Sequence, residues 1–275
     1  MTDTFQPVRR YGINTLGRDF VVGDIHGCYD ELWAALKEAR FHPERDRLFS
    51  VGDLVDRGPG SERVERFLDQ PWVFAVRGNH EDEILNLYED GVPHHDVLQA
   101  YMNMVGYRNG LGWWMAVPYE QRLRIVEKLR RLPLVMELET SRGKVGLLHA
   151  EVPQRMDWAT FIACIEAGDE KVLNSALWGR ERYHADDHSG VSGIDRVFVG
   201  HTPRKLAERK GNVYYVDTGA FKQVLEPGRQ GHLTMANVLT ATQVLSSAAP
   251  AVGRPIMVLN EPVQPQQHFG NYAAG

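Results

Sequence analysis

The chain has 275 residues, 43% of them apolar and 24% charged, and a net charge of -5. That is enough apolar chain for a full-sized core, and it excludes both the composition of disorder and the basic footprint of non-specific nucleic-acid binding. The two cysteines, Cys28 and Cys164, exclude a disulfide framework and a zinc knuckle, and read as free thiols.

In chain order, Phe20-Val21-Val22 reads as a buried strand running into Gly23-Asp24. Asp30 stands where a helix cap is expected, before apolar positions Leu32, Ala35, Leu36 and Ala39 at i, i+3, i+4 and i+7. Leu48 to Val51 is a second strand, again ending in Gly-Asp. Ser61 opens a short helix through Val64, Phe67 and Leu68. Trp72 to Val76 is a third strand, ending in Arg-Gly-Asn-His. This alternation is the pattern of parallel βαβ units. Residues 80–131 read as helical, broken near Gly91-Val92-Pro93 and between Gly106 and Gly112. Leu134–Leu138 and Val145–Leu148 read as a hairpin around Gly143. Residues 157–177 read as helix, and strands are expected at Arg196–Val199, Val213–Val216 and about Leu233–Val238. Residues 246–275, rich in Pro, Gln, Ser and Ala, read as a loosely ordered tail after a domain over 1–245. No apolar leader opens the chain and no run of about 18 apolar residues occurs, so the expectation is a cytoplasmic protein with no membrane partner and no nucleic-acid partner.

The chemistry sits at the strand ends. Gly23-Asp24-Ile25-His26-Gly27 follows the first strand and Gly52-Asp53-Leu54-Val55-Asp56-Arg57-Gly58 the second. Arg77-Gly78-Asn79-His80-Glu81 follows the third, and His149-Ala150-Glu151 and Gly200-His201-Thr202-Pro203 follow two later ones. Ligands of open α/β sheets bind outside the carboxyl ends of the strands, so these residues can converge on one point. Carboxylate, imidazole and amide oxygen without thiolate suit Mn, Fe or Zn. Asp24 and His26, two residues apart on one loop, can share one ion. Asp53 has two carboxylate oxygens and can bridge to a second, about 3.5–4 Å away. Such a pair acidifies a shared water to hydroxide and neutralises phosphoryl oxygens. A phosphoserine leaves as a basic alkoxide and needs a proton. His80 is the candidate acid and Asp56 the carboxylate that orients it. Arg57 and Arg77 supply bidentate donors for phosphate.

Taken together, GDIHG, GDLVDRG, VRGNHE, HAE, WGRER and GHTP resemble the phosphoprotein phosphatase branch of the calcineurin-like metallophosphoesterases. The sequence is similar to the small bacterial and phage-lambda-type serine/threonine phosphatases over roughly residues 11–240. The resemblance implies an α/β fold, a sandwich of two β-sheets flanked by helices. It implies one metal on Asp24, His26 and Asp53, and a second on Asp53, Asn79, His149 and His201. It also implies an acid pair of His80 and Asp56, and a phosphate clamp of Arg57, Arg77 and Arg180. Two divalent ions are implied as cofactors, with manganese first and iron or zinc as alternatives. The implied substrate is a phosphorylated protein or peptide. A symmetrical dinucleoside-tetraphosphate hydrolase is the alternative, because those relatives share the stretch like Gly52–Ser61. They carry alanine in place of Asp56 and close the third motif in Asp, and this chain does neither. One departure is Glu151, where the family reads aspartate.

Other features have simpler readings. His184-Ala185-Asp186-Asp187-His188 reads as a solvated loop. Arg122 to Arg131 reads as an amphipathic helix with a basic face. Trp113-Trp114 reads as core packing, with a rim wall near the site as the second reading. Asp217, in Tyr215-Val216-Asp217-Thr218-Gly219, reads as structural.

Overall fold

The computed structural model describes residues 5–225, 228 and 230–244. The strands are β1 (Val8–Tyr11), β2 (Asp19–Val22), β3 (Arg47–Ser50), β4 (Val73–Ala75), β5 (Val135–Thr140), β6 (Gly143–Leu148), β7 (Arg196–Val199), β8 (Glu208–Lys210), β9 (Val213–Tyr215), β10 (Met235–Asn237) and β11 (Gln243–Val244). They form a six-stranded sheet in the order β1-β5-β6-β7-β9-β8 and a five-stranded sheet in the order β11-β10-β2-β3-β4. β2, β3 and β4 run parallel, as do β6, β7 and β9. Those six strands therefore bring their carboxyl ends out in two parallel sets.

Side-chain alternation sorts the core into layers. Val21 and Phe49 of the five-stranded sheet meet Met136, Leu138, Val145, Leu147 and Phe198 of the other sheet. On the opposite face of the first sheet, Phe20, Val22 and Leu48 pack on Leu32, Leu36, Ile125 and Leu129 of the helices Tyr29–Glu38 and Tyr119–Arg130. On the outer face of the six-stranded sheet, Val135, Val197 and Val199 pack on Phe161, Ile165, Val172 and Ala176. The order helices, sheet, sheet, helices is the expected sandwich. Strands covered on both faces read as continuous apolar runs, which is why Phe20-Val21-Val22 was legible without alternation. Each such buried side chain contributes about 1.5–3 kcal/mol.

Two expectations need correction. Asp30 does not cap its helix: it lies inside the first turn of Tyr29–Glu38, where its charge meets the helix dipole. The helix expected over 157–177 is two, Trp158–Ala167 and Glu170–Trp178. Gly168 ends the first in the left-handed conformation (φ 74°), and Asp169 caps the second by accepting from the Lys171 and Val172 amides. Short strands β1, β8 and β11 went unread. The 246–275 tail lies outside the described residues. No helix among the described residues is long and apolar enough to cross a membrane.

Candidate metal centre

The loops after β2, β3, β4, β6, β7 and β9 converge at one edge of the sandwich. They bury Asp24, His26, Asp53, Asp56, Asn79, His80, His149, His201 and Asp217 there. His26, Asp53, Asp56, Arg57 and His201 all have φ between 44° and 69°. Non-glycine residues rarely adopt this region, and such strain collects at functional sites.

Asp53 is the centre of the arrangement. Its Oδ2 lies 3.4 Å from His26 Nε2, and its Oδ1 lies 3.4 Å from His149 Nε2. Two groups of ligand-type atoms, each within 4.8 Å of one another, share it: His26, Asp53 and His80, and Asp53, His149 and His201. Burial pushes the Asp53 carboxyl up, but the charges of His149, His80, His26 and Arg57 outweigh it and hold the group well below the usual carboxylate range. Asp24 lies outside both groups. Both its oxygens accept the His201 amide, at 3.2 and 3.0 Å, and His80 rather than Asp24 completes the first group.

The imidazoles are oriented by the backbone. His26 Nδ1–H donates to the Val55 carbonyl and His149 Nδ1–H to the Val51 carbonyl, each at 2.8 Å. His201 Nε2–H donates to the Trp178 carbonyl at 3.2 Å. These bonds fix which nitrogen keeps a lone pair. The lone pairs of His149 Nε2 and His201 Nδ1 then both face Asn79 Oδ1 at 2.8 Å. Three acceptor atoms directed at one another are reconciled by a cation. Burial lowers the pKa of His26, His149 and His201, the last to about 3, and so favours the neutral imidazole, the form that can bind a metal. Nearby, burial and then the charges of Asp217 and Asp53 hold Asp24 well above its ordinary value. Asp217, pushed up to about 6 by burial with the charge of Asp53 adding, has a buried Oδ2 without a hydrogen-bond partner among the described residues. Three close, buried carboxylates and an unsatisfied oxygen fit divalent cations.

Beside this cluster, His80 Nδ1–H donates to Asp56 Oδ2 at 2.6 Å in a fully buried pair. Burial lowers the His80 pKa, but the Asp53 charge and the Asp56 hydrogen bond raise it above the ordinary value on balance. Arg57 Nη1 donates to His26 Nε2 at 3.0 Å, and its guanidinium lies 4.6 Å over the Phe221 ring. Arg180 donates to the His201 carbonyl at 3.2 Å. Arg77 is not brought to the cluster. Its guanidinium meets Asp82 at 3.3 Å and the Arg130 carbonyl at 3.4 Å, with the Phe5 ring 5.2 Å away. The side chain of a strand-end residue leaves on one face only, and here that face is the helix side.

Against known proteins, the family model for calcineurin-like phosphoesterases matches residues 20–205. The chain belongs to this family. It is a metallophosphoesterase, a hydrolase whose family implies a pair of divalent metal ions. Among relatives of this phosphoesterase, serine/threonine-protein phosphatase 1 of Salmonella typhimurium is 36% identical over 205 residues, covering 73% of this chain and 86% of its own. A symmetrical bis(5'-nucleosyl)-tetraphosphatase of Nitrosococcus oceani is 33% identical over 163 residues, covering 58% and 52%. A crystal structure described as a diadenosine tetraphosphatase superposes with a TM-score of 0.58 at 22% identity, covering 87% of this chain and 97% of that one. That last likeness speaks for the fold.

Several residues of the phosphoesterase site were not assigned from sequence. Glu81, fully buried, accepts the amides of Asp53 and Gly78 on Oε2 and of Leu54 on Oε1, at 2.7–2.9 Å. It ties the loop after β3 to the loop after β4. Glu151, the departure from the family aspartate, accepts the amides of Glu181 and Arg182 at 3.1 and 2.8 Å, and so holds the segment carrying Arg180. Asp217, read as structural, stands among the carboxylates. Trp113 is not simply core: its Nε1–H donates to Asp56 Oδ1 at 2.7 Å. Trp114 is the fully buried member of the pair. The His184–His188 loop is a surface feature, with His188 exposed and 3.2 Å from Asp186.

Proposed function

We propose that this phosphoesterase hydrolyses phosphate monoesters on phosphoserine or phosphothreonine of proteins or peptides. The buried Asp56–His80 pair carries this reading. We assign one ion to Asp24, His26 and Asp53, and the other to Asp53, Asn79, His149 and His201, with manganese as the first choice of metal. When bound, the ions supply a nucleophile from water at neutral pH and neutralise the phosphoryl oxygens. Arg57 and Arg180 hold the remaining phosphoryl oxygens by charge-assisted hydrogen bonds. Asp56 engages His80 Nδ1, which leaves Nε2–H to be given to the serine or threonine oxygen as its bond to phosphorus breaks. The products are a free hydroxyl and inorganic phosphate, and His80 recovers its proton from solvent.

The similarity to symmetrical tetraphosphatases supplies the second reading, a dinucleoside-tetraphosphate hydrolase. A nucleotide phosphate is a weaker base than a serine alkoxide and asks less of a general acid. The test is chelated protein reconstituted with Mn, Fe or Zn and assayed on phosphoserine, phosphothreonine and phosphotyrosine peptides and on diadenosine tetraphosphate. Fast turnover of the peptides, lowered about 10²–10⁴-fold by His80→Asn with metal content unchanged, is the expected result. Fast cleavage of the dinucleotide with little turnover of peptide would reverse the ranking.

A further inference from the structure

Between β4 and β5 the chain makes a run of short helical turns, Met102–Gly106, Tyr107–Asn109 and Leu111–Ala116. Trp114 anchors this run in the core, and Trp113 packs edge-on against it at 5.1 Å. Three contacts then reach the segments that carry the candidate acid pair, one of them the pair itself. The Gly110 carbonyl accepts the Arg57 amide at 3.2 Å. Gly110 has φ 93°, and a side chain there would collide with the Arg57 backbone, so the two chains touch directly. Asn109 Nδ2 donates to both oxygens of Glu83, at 3.0 and 3.1 Å, on the same helix as His80. Trp113 Nε1–H donates to Asp56 Oδ1 at 2.7 Å, while Asp56 Oδ2 takes His80 Nδ1–H.

Asp56 and Arg57 have φ of 69° and 65°, so their loop is strained and needs an outside hold. A carboxylate on such a loop can turn about its own bond unless both oxygens are engaged. The indole is a donor only and competes for no proton. We propose that Trp113 is a positioning residue: its N–H fixes Asp56 so that the second carboxylate oxygen addresses His80. This rests on the reading of His80 as the acid for a basic leaving group.

The test compares Trp113→Phe, Asp56→Asn and the double variant in the manganese-loaded enzyme, on a phosphoserine peptide and on p-nitrophenyl phosphate. Trp113→Phe keeps the ring and removes the donor. A bond to a charged acceptor is the one lost, so kcat on phosphoserine is expected to fall about 10- to 100-fold. The loss on p-nitrophenyl phosphate, whose leaving group is far less basic, is smaller, and KM changes little on either. The double variant is no slower than Asp56→Asn. Trp114→Phe, at a fully buried indole whose N–H has no partner among the described residues, lowers thermal stability without biasing one substrate against the other. Trp113→Gln places an N–H at the same number of bonds from Cα and recovers part of the loss, which a packing role alone would not give. Multiplying losses in the double variant, equal losses on both substrates, no gain for Gln over Phe, or wild-type turnover by Trp113→Phe beside an impaired Asp56→Asn would each overturn the role of Trp113 and leave the acid pair standing. Unimpaired Asp56→Asn would overturn the acid pair and the role of Trp113 with it.

Discussion

Glu81→Gln is a near-isosteric change at a fully buried carboxylate that binds three backbone amides. Two of them, from Asp53 and Gly78, share Oε2, and the Leu54 amide faces Oε1. Glutamine has one carbonyl oxygen. Whichever way its amide turns, an NH₂ group faces at least one backbone N–H, and that donor is left unsatisfied in the core. Burial and then the charge of Asp53 raise the Glu81 pKa to about 8, but the three amide donors aimed at its two oxygens favour the ionised form. Losing a hydrogen bond to that charged acceptor costs about 1.5–3 kcal/mol, and an orphaned buried donor about 1–3 kcal/mol. The two overlap, so we expect a loss of about 2–4 kcal/mol. For a domain of this size each kcal/mol lowers Tm by about 2–4 °C, which puts the fall at about 4–16 °C. The same change loosens the tie between the Asp53 and Asn79 loops, so manganese affinity by calorimetry should fall as well. Thermal unfolding of chelated and loaded protein reads both effects. A variant that melts within a degree of wild type and binds the same number of ions with the same affinity would refute the role given to Glu81.

The arginines separate cleanly. Arg180→Ala should raise KM for phosphopeptide about 10-fold or more through loss of a charge-assisted bond. Arg77→Ala should leave KM unchanged and lower stability by about 1–2 kcal/mol, because its partners are Asp82 and the Arg130 carbonyl; steady-state kinetics beside thermal melts decide it, and a KM effect at Arg77 would return that residue to the phosphate clamp. His201 gives a pH prediction. Burial and then the neighbouring His149 lower its pKa to about 3, so between pH 6.5 and about 3 the unfolded chain takes up a proton that the folded chain refuses. Stability of the chelated protein should therefore fall as pH falls through that window, with a slope from this one group of up to about 1.4 kcal/mol per pH unit. His201→Asn should flatten the slope by about that amount in urea titrations at pH 5.5 and 4.5; an unchanged slope would show that the imidazole is not held neutral.

The candidate ligands were legible because each is spelled locally. A metal ligand at a strand end needs an apolar run, a tight turn and a donor side chain within a few residues, and all three are contiguous at Asp24, Asp53, Asn79 and His201. What was not legible depends on distance or direction. Trp113 and Asp56 are 57 residues apart, and nothing in Gly112-Trp113-Trp114 says which indole turns outward. Glu151 meets an amide 31 residues on. Arg77 carries the right chemistry beside the right motif, and only the face on which it leaves β4 sends it to Asp82. β1 reads Val-Arg-Arg-Tyr, with too little apolar content to declare itself, and exists through parallel pairing with β5 more than a hundred residues away. Asp30 misled because its residue type suits both a cap and a first turn, and the helix starts one residue earlier.

The unread residues have a common position. Glu81, Glu151 and Trp113 do not stand among the grouped ligand atoms. Each bonds a loop that carries a candidate ligand, acid or phosphate donor. The loops need this because five of their residues are held at positive φ without glycine, at a cost of about 1–3 kcal/mol each. Glycine at those positions would remove the strain and also remove the imidazole, carboxylate or guanidinium that the chemistry requires. The strain is therefore a consequence of placing donors at sharp turns, and the buried hydrogen bonds that Glu81 and Trp113 make to Asp53 and Asp56 oppose it. Ligand motifs can be read one loop at a time for the same reason that these supports cannot: each support acts between two segments.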